Sequence, residues 1–183
     1  MLGRFLLYWE QAPDLRSRAG AGQAQTTIMN QSFLREAIRL SIEKMGAGEG
    51  GPFGAVIARN GEIVGRGWNR VTSTNDPTAH AEIVAIRDAG ARLKTFCLSG
   101  CEIYTSCEPC PMCFAAIYWA RLDRVFYAAT CQDASAVGFD DCRFNQELAL
   151  PPSSRSIPME QGLRHEACEA FRAWMRKADR VPY

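Results

Sequence analysis

The chain is 183 residues long, 47% apolar and 22% charged, with 21 basic against 20 acidic side chains. Such a composition suits one soluble domain around one core, and no run reaches the roughly eighteen apolar residues that a membrane span requires. A formal net charge of +1 leaves no global footprint for a nucleic-acid backbone. Eight cysteines raise the possibility of a secreted disulfide scaffold, but the opening apolar run FLLYW is broken by Glu10 after five residues. No sustained hydrophobic region or small-residue cleavage site follows. The expectation is a reducing, cytoplasmic compartment with free thiols.

Residues 16–27, RSRAGAGQAQTT, are small and polar without periodicity, as in a linker or disordered arm. Residues 1–28 therefore form an appendage, and the core domain occupies 29–183. Phe33, Leu34, Ala37, Ile38, Ser41, Ile42 and Met45 recur at helical spacing, with Ser32 as the expected N-cap and Gly46 as the stop. Two β-prone runs, 53–59 and 62–68, are joined by Asn60-Gly61, a strong hairpin signal. After a loop over 69–78, a helix is expected over 79–93, burying Ile83, Val84, Ile86 and Ala89. Then come a strand at 102–105, a largely apolar helix at 110–120, strands at 124–129 and 157–163, and an amphipathic helix at 163–177. This alternation predicts an α/β fold, a three-layer α/β/α sandwich on a mixed five-stranded sheet.

The segment TSCEPCPMC places Cys107, Cys110 and Cys113 at three-residue intervals. A ferredoxin-type cluster would need a fourth cysteine followed by proline; Ile117 stands there instead, and no Cys-Pro pair follows Cys113. Zinc asks for less, since a catalytic site uses three protein ligands and keeps one open position for water. Cys110 and Cys113 are three apart at an expected helix start, on one face and near the dipole that favours thiolates. Of the two histidines, His165 falls in the amphipathic C-terminal helix, on its solvated side. His80 lies in PTAHAE with Glu82 two residues on. Cys107 is expected to be a packed residue; as a fourth ligand it would close the site and make the zinc structural.

His80-Ala81-Glu82 followed by Pro109-Cys110 and Cys113 is the H-x-E…P-C-x-x-C pattern of zinc deaminases acting on nucleobases. With GGPFGAV (50–56), NDPTAHAE (75–82), TSCEPCPMC (105–113), AAIYWAR (115–121) and GFDD (138–141), the chain resembles the cytidine-deaminase-like superfamily. More narrowly it is similar to the bacterial-type guanine deaminases, over residues 30–183. PTAHAE and EPCxMC also occur in tRNA adenosine deaminases; IYWAR, GFDD and the terminal tyrosine separate the two groups. Gln132 to Asp141 and Leu148 to Ser156 follow the family loosely outside GFDD, and residues 1–28 have no counterpart in it.

The resemblance implies one zinc per chain held by His80, Cys110 and Cys113, with Glu82 shuttling protons in the hydrolysis of guanine to xanthine and ammonia. It implies that Phe53 and Trp119 supply the faces of the base slot, while Asn69 and the Ala81 N–H read its edge. Asp141 would assist the departing ammonia, and Tyr183 would close the pocket, from a partner subunit in a homodimer that exchanges C-terminal segments. Taken singly, several of these residues have plainer explanations: core packing for Phe53 and Trp119, a turn for Asn69, a solvated loop acid for Asp141. Two alternatives to guanine deamination stand beside it. One is a tRNA adenosine deaminase, which needs a basic surface; the other is a non-catalytic zinc-stabilised module with four protein ligands.

Overall fold

The computed structural model describes residues 28–139 and 141–182, with the side chain of Asp141 excepted. The proposed appendage, apart from residue 28, lies outside the described residues, as do Asp140 and Tyr183. The chain runs α1 (Gln31–Gly46), β1 (Gly54–Arg59), β2 (Glu62–Trp68), α2 (Val71–Thr74), α3 (Ala81–Leu93), β3 (Cys101–Cys107), α4 (Pro111–Trp119), β4 (Arg124–Ala129), α5 (Cys131–Ala136), α6 (Asp141–Ala149) and α7 (Arg164–Arg176). The sheet order is β2-β1-β3-β4. β1 pairs antiparallel with β2 and with β3, whereas β3 and β4 are parallel and joined through α4.

Asn60 and Gly61 both take positive φ, 52° and 81°, as the tight turn between β1 and β2 demands. β1 is buried on both faces, and its alternate residues divide between two cores. Val56 and Ala58 join Leu40 and Tyr104 beneath α1, with Phe33, Leu34 and Phe126 packed around them. Ala55 and Ile57 join Ile103, Ile117, Ala85 and Ala89 beneath α3 and α4. Helices thus cover both faces of a mixed sheet, giving the expected three layers. Among the described residues, no helix is long and apolar enough to cross a membrane.

Three local expectations change. The N-cap of α1 is Asn30, whose carboxamide oxygen accepts from the Ser32 N–H at 3.0 Å and from its hydroxyl at 2.7 Å. The side of α3 that faces the sheet is lined by Ala81, Ala85 and Ala89, with Ile83, Val84 and Ile86 only partly buried. Glycines on β2 explain this. A Cβ at Gly67 would stand 2.1 Å from the Ala81 carbonyl oxygen, and one at Gly65 would stand 2.7 Å from the Ala89 Cβ. Helix and strand therefore touch backbone to backbone, leaving no space for larger side chains between them.

The sheet has four strands among the described residues, not five. Residues 157–163 are irregular, with Ile157, Met159 and Leu163 exposed. Pro158 has no N–H to give a ladder, and Gly162 weakens any strand around it. The added elements α5 and α6 lie between β4 and that segment. α5 opens with a capping box in which Thr130 and Asp133 exchange side-chain and backbone bonds.

Candidate active site

Two helix N-termini meet at one end of the sheet. His80 is the N-cap of α3 and Cys110 the N-cap of α4, both in extended backbone and neither side chain spent on capping. Pro111, with no N–H to lose and φ already set for a helix, starts α4 directly after Cys110. Cys113 follows within the first turn and is fully buried. The Cys110 Sγ lies 3.6 Å from the His80 Nδ1. One donor atom from each of His80, Cys110 and Cys113 comes within 4.8 Å of the others. The expected three-residue cluster is thus assembled from segments thirty residues apart in sequence.

An imidazole and two thiols within this span match the donor chemistry of a three-ligand zinc site. The Cys113 thiol bonds to the Cys110 sulfur, and with the His80 contact this brings Cys110 down to about 4 despite its burial. Cys113 moves the other way, raised by that same bond and by burial. The pair therefore favours the thiolate at Cys110 and the thiol at Cys113, and metal binding would take the second proton. Cys107 takes no part: its Sγ points to the Thr130 carbonyl at 3.5 Å, at the end of β3.

Glu82, the second residue of α3, is 7% exposed and lines the cavity beside the cluster. Burial lifts its carboxyl to about 7, partly opposed by a bond to its own backbone N–H; the Cys110 thiolate adds to the rise. It is a carboxyl group able to change protonation near neutrality, which is what a proton shuttle requires.

The cavity holds about 240 Å³ and is lined by Gly51, Phe53, Asn69, Val71, Thr72, His80, Glu82, Glu108, Cys110 and Phe139. That is below the roughly 300–1,000 Å³ usual for pockets holding drug-sized ligands. Phe53 meets Phe139 edge-to-face, their ring centroids 4.7 Å apart and planes at 79°. Asn69 is buried, and its Oδ1 accepts from the backbone N–H of Gly51 at 3.1 Å and of Val71 at 3.2 Å. With the oxygen so used, the amide nitrogen is the group this side chain can offer a ligand. Ala81 opens α3, so its N–H has no acceptor within the helix.

Of the residues expected at the site, His80, Glu82, Cys110, Phe53 and Asn69 come together around the cavity. Ala81 and Cys113 are buried and do not line it. Trp119 does not line it: it ends α4 and is 62% exposed. The Asp141 side chain and Tyr183 lie outside the described residues. Phe139 and Glu108 are cavity residues that the sequence reading passed over. Phe139 lies in GFDD before the two acids, and Glu108 lies between Cys107 and Cys110; neither has a spacing or residue type that signals a site by itself.

Comparison with known proteins agrees with this geometry. Residues 28–129 match the cytidine and deoxycytidylate deaminase zinc-binding region. The chain is 49% identical to the guanine deaminase of Bacillus subtilis over 154 residues, covering 84% of this chain and 99% of that one. The crystal structure of that Bacillus enzyme superposes with a TM-score of 0.82 at 48% identity, over 85% of this chain and 99% of the other. A tRNA-specific adenosine deaminase of Aquifex aeolicus is 43% identical over 97 residues, covering 53% of this chain and 64% of that one.

Proposed function

The chain belongs to the cytidine and deoxycytidylate deaminase zinc-binding family, and we propose that it hydrolyses guanine to xanthine and ammonia. The observation that carries the substrate is the near-complete, end-to-end likeness to the Bacillus guanine deaminase. The tRNA-specific relatives are less similar: one is 43% identical over 53% of this chain, and another is 37% identical over 74% of it. A cavity of about 240 Å³ supports a free base over a nucleoside in a folded RNA.

His80, Cys110 and Cys113 hold the zinc. When bound, zinc would supply Lewis acidity that lowers the pKa of a water molecule to about 7. Glu82 takes a proton from the attacking water and places it on ring N3; it then takes the proton of the hydroxyl on the attacked carbon and gives it to the amine, so that the C–N bond breaks, C=O forms and ammonia leaves neutral. Phe53 and Phe139 give the slot its apolar walls. The Asn69 amide and the Ala81 N–H read the base edge, the first as a donor whose oxygen is already anchored. Asp141, at the start of α6 just beyond Phe139, would receive the leaving ammonia.

A homodimer with exchanged C-terminal segments is part of the same reading. Its support is physical: α7 is amphipathic yet buries no residue, with Phe171, Trp174 and Met175 exposed. Tyr118 and Trp119 are likewise exposed on α4. Large apolar groups in such number call for a partner surface, and a second copy of the chain supplies both faces at once. In that arrangement Trp119 and Tyr183 act across the subunit boundary, and residues 29–183 work as one deaminase domain with residues 1–28 as an appendage. The cytoplasm, which keeps the ligand thiols reduced, is the compartment that fits.

The test is ammonia release from a panel of free bases, nucleosides and tRNA. Guanine is expected to be the best substrate, with xanthine formed in equal amount. Turnover of adenosine in tRNA with none of guanine would overturn the assignment.

A further inference from the structure

Outside the metal cluster, one more pair of sulfur atoms stands in contact among the described residues. Cys131 is the first residue of α5 and Cys142 the second of α6, and their Sγ atoms are 2.9 Å apart. Both side chains are partly open to solvent. A disulfide holds its sulfurs at about 2.05 Å, so the bond is a short closing movement away. Neither thiol serves the zinc cluster.

The pair is also tied to the cavity from two directions. Between the two cysteines the chain turns at Gly138, φ 97°, and presents Phe139 to Phe53 at the cavity wall. On the other side, the Cys131 N–H donates to the Glu108 carboxylate at 3.0 Å, and Glu108 lines the same cavity.

We propose that Cys131 and Cys142 form a reversible redox site whose disulfide fastens α5 to α6 and fixes the Phe139 wall of the cavity. The oxidant is hydrogen peroxide. One thiolate attacks the O–O bond and becomes a sulfenic acid, and the departing oxygen leaves as water. The second sulfur displaces the hydroxyl of that sulfenic acid, forming the S–S bond and releasing a second water. Two thiols and one hydrogen peroxide give one disulfide and two waters; a dithiol reverses the step by exchange.

Full-length, zinc-loaded protein exposed to hydrogen peroxide, quenched with maleimide and digested with trypsin tests this. Cleavage after Arg124 and Arg143 releases both cysteines on one peptide, residues 125–143, which contains no other cysteine. That peptide is expected to lose two hydrogens and take up no maleimide, with dithiothreitol restoring both thiols. Cys142→Ser should abolish the deficit. Amide exchange across residues 132–139 is expected to slow several-fold in the oxidised wild type and to stay unchanged in Cys142→Ser. Two alkylated thiols in this peptide, under conditions that oxidise other cysteines of the chain, would overturn the site. A disulfide formed with unaltered exchange at 132–139 would overturn its hold on the cavity wall. Both readouts are independent of substrate, so they stand apart from the guanine assignment.

Discussion

Glu82 combines burial, a position next to His80 in α3 and a place on the cavity wall. Glu82→Gln keeps the shape and removes the proton exchange. Zinc content should stay near one per chain while turnover falls by roughly 10²–10⁴; a rate close to wild type would remove Glu82 as the shuttle. A second measurement follows from its raised pKa. In metal-stripped protein the folded value is about 7 against an ordinary 4.5, so the folded state retains a proton that the unfolded chain has released. That contribution is fully present below 4.5 and is lost as pH rises through about 7. The stability of metal-stripped wild type relative to Glu82→Gln should therefore fall by up to about 3 kcal/mol between about pH 4.5 and pH 8. Urea titrations at the two values read it, and parallel curves would contradict the burial account. Asn69 has two duties that one substitution separates. Asn69→Asp keeps an acceptor for the Gly51 and Val71 N–H groups but removes the amide donor. KM for guanine should rise about 10- to 100-fold with little change in melting temperature.

At the level of elements, the site depends on how closely α3 sits on β2. The contact at Gly67 is with Ala81, which lies between His80 and Glu82 in sequence, so an error there is transmitted directly to a ligand and the shuttle. Gly67→Ala is expected to cost about 1–3 kcal/mol by overpacking and to lower zinc occupancy. Gly46→Ala is the control: nothing lies within 4 Å of a Cβ there, and it should remain within about 1 kcal/mol of wild type. Equal effects from the two would count against the close approach. Sequence pattern located α3 well, placed Ala89 rightly in its buried stripe and Ile86 at the stripe's edge, but missed Ala81 and Ala85. The large aliphatics Ile83 and Val84 looked like the core, whereas a facing pair of glycines selects the alanines.

For the whole molecule, the apolar face of α7 is the deciding feature. Phe171 is 70% exposed on a helix that buries nothing. Phe171→Asp together with Trp174→Asp should convert a dimer to monomers in sedimentation equilibrium. Activity should fall with the dimer if a partner's C-terminal segment completes the pocket. A wild-type protein that sediments as a monomer would remove the exchange.

The sequence by itself named the residues that the fold brings together at the candidate centre. His80, Glu82, Cys110 and Cys113 were legible because metal ligation and proton transfer admit few residue types, and a helix start fixes their spacing. It also located the hairpin, because Asn60-Gly61 has a local conformational requirement. Only the tertiary structure decided the rest. The strand expected at 157–163 did not form, since a strand needs a paired edge as well as apolar residues. Trp119, expected at a face of the base slot or in the core, lies exposed, because burial depends on what packs against a helix. Phe139 and Glu108 became cavity walls, and Cys131 and Cys142 became neighbours where α5 and α6 pack together. Such contacts join residues that no local preference links, so nothing in their spacing announces them.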